Sequence, residues 1–539
     1  MNNTAFQKAV QKLSKSKPKT KSNTAFQKAV PKLSKTKSKT YSSNICKLSS
    51  SLLESIVKPA TYSKYKKHIS DITNKFTTSQ NLLLNEIINS KNTIEFTLTF
   101  TEVSLDTYTI VPPFIDIFRY LITKPEFITN FSMNEKHLLE NNLLSSRSTI
   151  ESCYKFLETE QLGQKILDSY YKINSNLKSE LIAKFPSIEF HSLLINSFTS
   201  FKIIEDLELR IKKLVTFSVE WQGRKIENLV YMFMYDDDIT KMDVDYKTLG
   251  QYIIERILFF NDFLKIDKLP SKFIIFLTDK KKEIDQDVIM HMHFKTININ
   301  TAVTNGRDII IYRQQELLKS IFHELIHFHN LDFRQIPDTI IQYLIKTHNI
   351  KPDNEYLLYE CVTEAMANIL NNIFLSGNIK DFTHNLKLEI FYSTLQVAKI
   401  LNICGYKKWN EFSSLDKLNN SNPKKHFKQD SCVMSYYILK YYIMMNLDTY
   451  FKMCLDTKLK FIQSTESFNN LINIFDLARN NIYIKKIMDN ELSSLGSLSK
   501  NKTIKHLKKY KLKTKLNNKI NNTLRMTCLE SNLFSKNSI

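Results

Sequence analysis

The sequence predicts a helix-rich α+β fold flanked by two disordered basic tails, and three observations predict it. Residues 211–312 alternate short runs rich in Val, Ile, Phe and Tyr with turn dipeptides, the pattern of strands. Residues 46–210 and 376–495 carry their apolar residues mostly at helical spacing. Both ends of the 539-residue chain are rich in lysine and poor in acid. The expected organisation is a basic tail over 1–45, a helical N-terminal domain over 46–210, a strand-and-helix domain over 211–375, a helical subdomain over 376–495 and a second basic tail over 496–539.

The charge belongs to the tails. Residues 1–42 hold 11 lysines and no acid, and residues 500–526 hold nine lysines and Arg525, again without acid. The rest of the chain is therefore close to neutral, although the whole carries +22. Sparse aromatic interleaving argues against specific nucleic-acid recognition. Nonspecific contact with phosphates, lost as salt rises, or with an acidic surface fits better. Residues 3–22 and 23–42 form a near-identical tandem repeat of period 20, NTAFQKAVQKLSKSKPKTKS then NTAFQKAVPKLSKTKSKTYS. Two units are too few for a solenoid and too polar for a core, so a disordered tail is expected.

The cysteines (46, 153, 361, 404, 432, 454, 528) are odd in number and never form CxxC. That argues against a disulfide framework or a Cys-type zinc finger and for a reducing compartment. The lysine-rich start lacks the apolar run of a signal peptide, and the longest apolar runs fall short of a membrane span, so an intracellular protein is expected.

Taken in order, Ile56 to Phe76, Leu82 to Ile88 and Phe201 to Leu207 read as helices, and Ile94, Phe96, Leu98 and Phe100 alternate as a strand before Pro112-Pro113. Residues 214–221 and 227–234 flank Gln222-Gly223-Arg224-Lys225 as a hairpin, followed by a helix over 247–264. Strands are expected over 273–277, 296–303 and 309–312, the last two joined by Asn305-Gly306, a strong hairpin signal. Farther on, helices are expected over 386–401, 433–447 and 468–488.

Directly after the Asn-Gly hairpin comes the stretch Ser320-Ile321-Phe322-His323-Glu324-Leu325-Ile326-His327-Phe328. Two histidines four apart share one helix face, where both imidazoles reach a single metal ion, and Glu324 beside the first can act as general base. Composition alone would supply such an HExxH pattern about 0.01 times in a chain of this length. Leu317, Leu318, Ile321, Phe322, Leu325, Ile326 and Phe328 make the helix apolar on most sides. Two buried histidines and a glutamate in such a helix call for a partner such as a metal.

A hydrolytic zinc site takes three protein ligands. The metzincin position holds Phe333, with Asn330 where glycine is required, which excludes that class. His329, two residues past His327, lies on roughly the opposite face. The best third ligand is Glu364, in a second helix over 359–370 whose small residues permit close approach. Glu360, one turn earlier, is the runner-up.

HELIH followed after 35 residues by Thr363-Glu364-Ala365-Met366-Ala367 resembles the gluzincin zinc metallopeptidases, whose glutamate helix has the form Asn-Glu-small-x-small. The resemblance implies a zincin-like catalytic domain over 211–375, Zn2+ held by His323, His327 and Glu364, and Glu324 acting on a zinc-bound water. It also implies a Tyr or His donor to the tetrahedral oxyanion, for which Tyr436 or Tyr437 is favoured over His426 and His384. Asn368 stands where such enzymes often put an aspartate behind the first histidine, and Asp332 is one residue from the other usual aspartate. Both departures leave the orientation of the histidines open. A wider similarity, through Ile310 to Glu316, Leu331-Asp332-Phe333 and Ser435 to Lys440, covers roughly residues 290–460. It resembles metallopeptidases encoded by large nucleocytoplasmic DNA viruses, which implies host cytoplasm or virion as the location.

The expected function is hydrolysis of protein or peptide substrates. The alternative is a catalytically degenerate structural or packaging protein whose basic tails contact nucleic acid. A DNA-associated protease of the SprT type would need a histidine third ligand and often a Cys zinc ribbon, and neither is evident.

Overall fold

The computed structural model describes residues 69–529 except 71–75, 105–113, 147, 186–198, 236–244, 285–287, 290–292, 334, 349–355, 414–427, 430, 457–458 and 501–522. The tandem repeat, most of the C-terminal lysine run and His426 lie outside the described residues.

The architecture is α+β, helix-rich, around a mixed six-stranded sheet. Strands β1 (Phe96–Ser104), β2 (Ile211–Trp221), β3 (Arg224–Tyr235) and β4 (Phe273–Phe276) are followed by the short β5 (His293–Phe294), then β6 (Ala302–Thr304) and β7 (Ile309–Ile311). The sheet order is β1-β2-β3-β4-β7-β6. The outer pairs are antiparallel, while β3, β4 and β7 run parallel. β5 pairs separately with β8 (Lys428–Gln429).

Alternation along the strands gives the sheet two apolar faces. Val230, Met232 and Met234 of β3, with Phe273, Ile275, Ile309 and Ile311, join one buried cluster. Tyr231, Phe233 and Tyr235, with Ile274, Phe276 and Ile310, join the other. The second cluster is completed by helices Phe114–Ile122, Ile150–Thr159, Leu162–Tyr171 and Phe201–Leu209. The first receives α1 (Thr78–Ser90), α2 (Tyr246–Leu264), α3 (Leu317–Phe328), α4 (Tyr359–Leu375) and α5 (Ile379–Ile403). The second cluster draws on helices before the boundary expected at residue 210 and on strands after it. β1 is an edge strand of the main sheet, and the four helices just named cover one of the sheet's faces.

Two expected elements differ. The strand over 296–303 begins as a helical turn, Thr296–Ile299, and only Ala302–Thr304 is strand. Asn298 explains it: its side chain accepts from the Lys295 N–H and donates to the Glu283 carbonyl, diverting local backbone from a ladder. The helix over 468–488 is two helices, Thr465–Asn480 and Ile482–Lys500. Asn481 separates them, its side-chain oxygen accepting from the N–H groups of Tyr483 and Ile484 as an N-cap.

The helical C-terminal part buries a neutral imidazole. His348 is 2 % exposed and bonded to Thr347 and to the Tyr442 hydroxyl. Burial, reinforced by the Arg479 charge, pulls it from 6.5 to about 3. The unfolded chain binds a proton that the folded chain refuses, so this stability is present above about pH 6.5 and lost as pH falls towards about 3. Between pH 7 and pH 5 the loss is about 2 kcal/mol. Urea unfolding at the two pH values should show that increment in wild type, and His348→Gln should remove it; an equal acid loss in both proteins would refute it.

Candidate metal centre

Helix α3 follows the β6–β7 hairpin. Antiparallel β6 forms the sheet edge beside it, and Asn305-Gly306 makes the turn, with Gly306 at φ 81°. Every residue of α3 from Leu317 to Ile326 is buried, as its all-round apolar sequence requires. Phe322 packs edge-on to Phe259 and tilted against Phe260 of α2, which fixes the helix on the sheet.

At the centre, Nε2 of His323 and Nε2 of His327 lie 3.1 Å apart. Glu360 Oε2 lies 3.2 Å from the first and 3.3 Å from the second. These three are the group of potential metal ligands among the described residues. The other edge of each imidazole is committed. His323 Nδ1–H donates to Glu364 at 3.0 Å, and His327 Nδ1–H donates to Asp332 at 2.8 Å. With both Nδ1 atoms acting as donors, each neutral Nε2 is left with a lone pair. In that neutral form three acceptors converge, and either a cation or a proton held between Nε2 and Glu360 satisfies them; the second is what raises both histidines. Tetrahedral zinc with bonds of roughly 2.0–2.1 Å holds its ligands about 3.3 Å apart, which the near-equilateral triangle matches.

Glu364, the expected third ligand, does not stand in that triangle. The small residues Ala365 and Ala367 do bring α4 close to α3, but Glu364 meets the Nδ1 edge of His323, away from the converging Nε2 atoms. Glu360, one turn earlier on the same helix, reaches Nε2 of both histidines. Asn368 does not touch His323; its amide donates to Glu364 Oε1 at 3.0 Å. Glu364 itself occupies the Nδ1 edge of His323, where residue 368 was expected.

Asp332 reaches His327 because of how α3 ends. Asn330 adopts φ 51°, Leu331 N–H returns to the Ile326 carbonyl, and Asn330 N–H returns to that of His327. This Schellman-type reversal folds the chain back along the helix and carries Asp332 to Nδ1. His329 stacks on Phe260, off the ligand face.

Charge balance at the site follows from burial and these contacts. Burial pulls His323 down, but hydrogen bonds to Glu360 and Glu364 outweigh it and the net shift is upward. Burial likewise opposes the Glu360 and Asp332 contacts at His327, which is raised well above the ordinary range. Burial pushes the Glu324 carboxyl up, against the pull of the two histidines. Glu324 is 4 % exposed, on the helix that carries both.

The two candidate tyrosines separate. They lie in a π-helical turn, Met434–Leu439, a form frequent at functional sites. The Tyr436 ring lies 5.9 Å from that of His323. Tyr437 points elsewhere, its hydroxyl donating to the Leu524 carbonyl. His384 is exposed on α5.

Sequence reasoning missed a buried layer behind the centre. Lys319 Nζ contacts both carboxylate oxygens of Glu364 at 2.7 Å. Lys282 pairs with Glu316 at 2.6 Å, and all four side chains are essentially inaccessible. Burial drags Lys282 down to about 8 despite Glu316. Residues Thr523 to Leu529, expected to be part of a basic tail, are packed into this layer. Glu316 accepts from the N–H groups of Met526 and Thr527, Glu389 from that of Cys528, and Lys440 donates to the Met526 carbonyl. The available signal was Lys319 itself, a cation four residues before His323 in an otherwise apolar helix.

No protein family, curated protein or solved structure matches this chain. Among the described residues no helix is long and apolar enough to cross a membrane.

Proposed function

We propose that the chain is a zinc-dependent metallopeptidase of zincin-like build, with His323, His327 and Glu360 as metal ligands. The triangle of two Nε2 atoms and one carboxylate oxygen carries this reading, since two neutral imidazoles and a carboxylate are a zinc donor set. Zinc so held supplies Lewis acidity, polarising a carbonyl and making water acidic near neutral pH.

The chain's own residues do the rest. Glu324 takes a proton from the attacking water and returns it to the leaving amine, and burial raises its carboxyl towards a range useful for both steps. Tyr436, beside His323, is the candidate donor to the developing oxyanion. Edge strand β6 offers backbone groups to which an extended peptide can add. Glu364 and Asp332 hold the histidines in the ligating tautomer. A relic that had lost its chemistry would not need both carboxylates kept on the Nδ1 atoms, which favours the enzyme over a degenerate packaging protein.

Glu324→Gln separates binding from catalysis. The variant should retain zinc while turnover of a fluorogenic peptide mixture falls about 10²–10⁴-fold. Undiminished turnover would reject Glu324 as the base.

A further inference from the structure

Helix α3 buries one cation that neither its packing nor the proposed chemistry requires. Lys319 is 2 % exposed in a helix otherwise dominated by apolar side chains, where a lysine is rarely so buried unless paired. Its ammonium is not idle. It lies 2.7 Å from each oxygen of Glu364, and the Oε2 atom of that same carboxylate accepts from His323 Nδ1. Lys319 and His323 are four apart on one face, so the three side chains form a buried chain of ammonium, carboxylate and imidazole. Asn368 donates to the other carboxylate oxygen. Met526 of the C-terminal segment closes the layer, its sulfur 3.8 Å from Lys319 Nζ and 3.6 Å from Lys282 Nζ.

We propose that Lys319 is a positioning residue of the metal centre, acting through Glu364 on His323 and sealed from water by the C-terminal segment. The proposal rests on the zinc reading above and explains why two glutamates one turn apart take different parts. With both oxygens held by Lys319, Glu364 stays on the Nδ1 edge of His323 and leaves the ligand position to Glu360. Without that ammonium, Glu364 keeps the His323 and Asn368 donors and the charge of Lys440 but loses the cation that holds both its oxygens, and gains freedom to turn towards a metal.

The test uses the full-length chain, with zinc affinity measured by chelator competition and geometry read from the visible spectrum of the cobalt-substituted protein. Lys319→Met should weaken zinc binding about 10–100-fold and change the cobalt spectrum. Because Lys319 acts through Glu364, the double variant Lys319→Met/Glu364→Gln should bind zinc no more weakly than Glu364→Gln alone. Wild-type affinity and spectrum in Lys319→Met, or losses that add in the double variant, would overturn the proposal. If Lys319→Met lacks a cooperative melt, Lys319→Gln takes its part with the same two outcomes. A wild type that binds no zinc would instead sink the metal reading itself, so the two failures are distinguishable.

Discussion

Ending the chain at residue 522 is expected to abolish cooperative folding, although the lysine run before it reads as a basic tail. Leu524, Met526 and Leu529 are each no more than 3 % exposed within the main core. Fully burying such side chains contributes roughly 1.5–3 kcal/mol each, so their loss removes about 5–9 kcal/mol. Polar losses add to this. Glu316 would lose the Met526 and Thr527 N–H donors, Glu389 the Cys528 N–H, and Lys440 its carbonyl acceptor, all in the interior. Each hydrogen bond to a charged group is worth about 1.5–3 kcal/mol, against a total stability for a folded domain of about 5–15 kcal/mol. Circular dichroism melts should therefore show no cooperative transition for the truncated chain. A transition within a few degrees of wild type would mean that the segment is not part of the core.

Glu360→Gln is expected to remove stoichiometric zinc, and Glu364→Gln only to weaken it. The amide at 360 keeps the shape but loses the anionic ligand that sits within 3.3 Å of both Nε2 atoms. At 364 the change leaves all three ligands and disturbs the orientation of one, a loss of about 10–100-fold. Glu364→Gln also removes the buried carboxylate that Lys319 Nζ contacts at 2.7 Å, so its melting temperature should fall below that of Glu360→Gln. Metal analysis after dialysis reads the first difference and thermal melts the second. The reverse order of zinc loss would return the ligand role to Glu364.

The contrast between these glutamates shows where the sequence was informative. The HExxH helix, the Asn-Gly hairpin and the strand pairs around Gly223 were legible because period and turn chemistry are local. The sheet's two-faced burial followed from the alternation in β3. Glu360 and Glu364 share one helix face at one-turn spacing, so pattern alone could not decide which imidazole nitrogen each would meet. That choice depends on the approach of α4 to α3 and on Lys319. Asp332 looked displaced by one residue until the reversal at Asn330 was visible. The C-terminal segment was hidden for another reason. Its partners Glu316 and Glu389 lie 210 and 139 residues earlier, and a short stretch such as Leu524 to Leu529 carries no period that announces burial.

The central claim is that His323, His327 and Glu360 hold a zinc ion, and metal content tests it most directly. Wild-type protein incubated with zinc, dialysed and measured by elemental analysis should carry one zinc per chain, and Glu360→Gln treated identically should carry almost none. Wild type that emerges folded but without stoichiometric zinc would contradict the account.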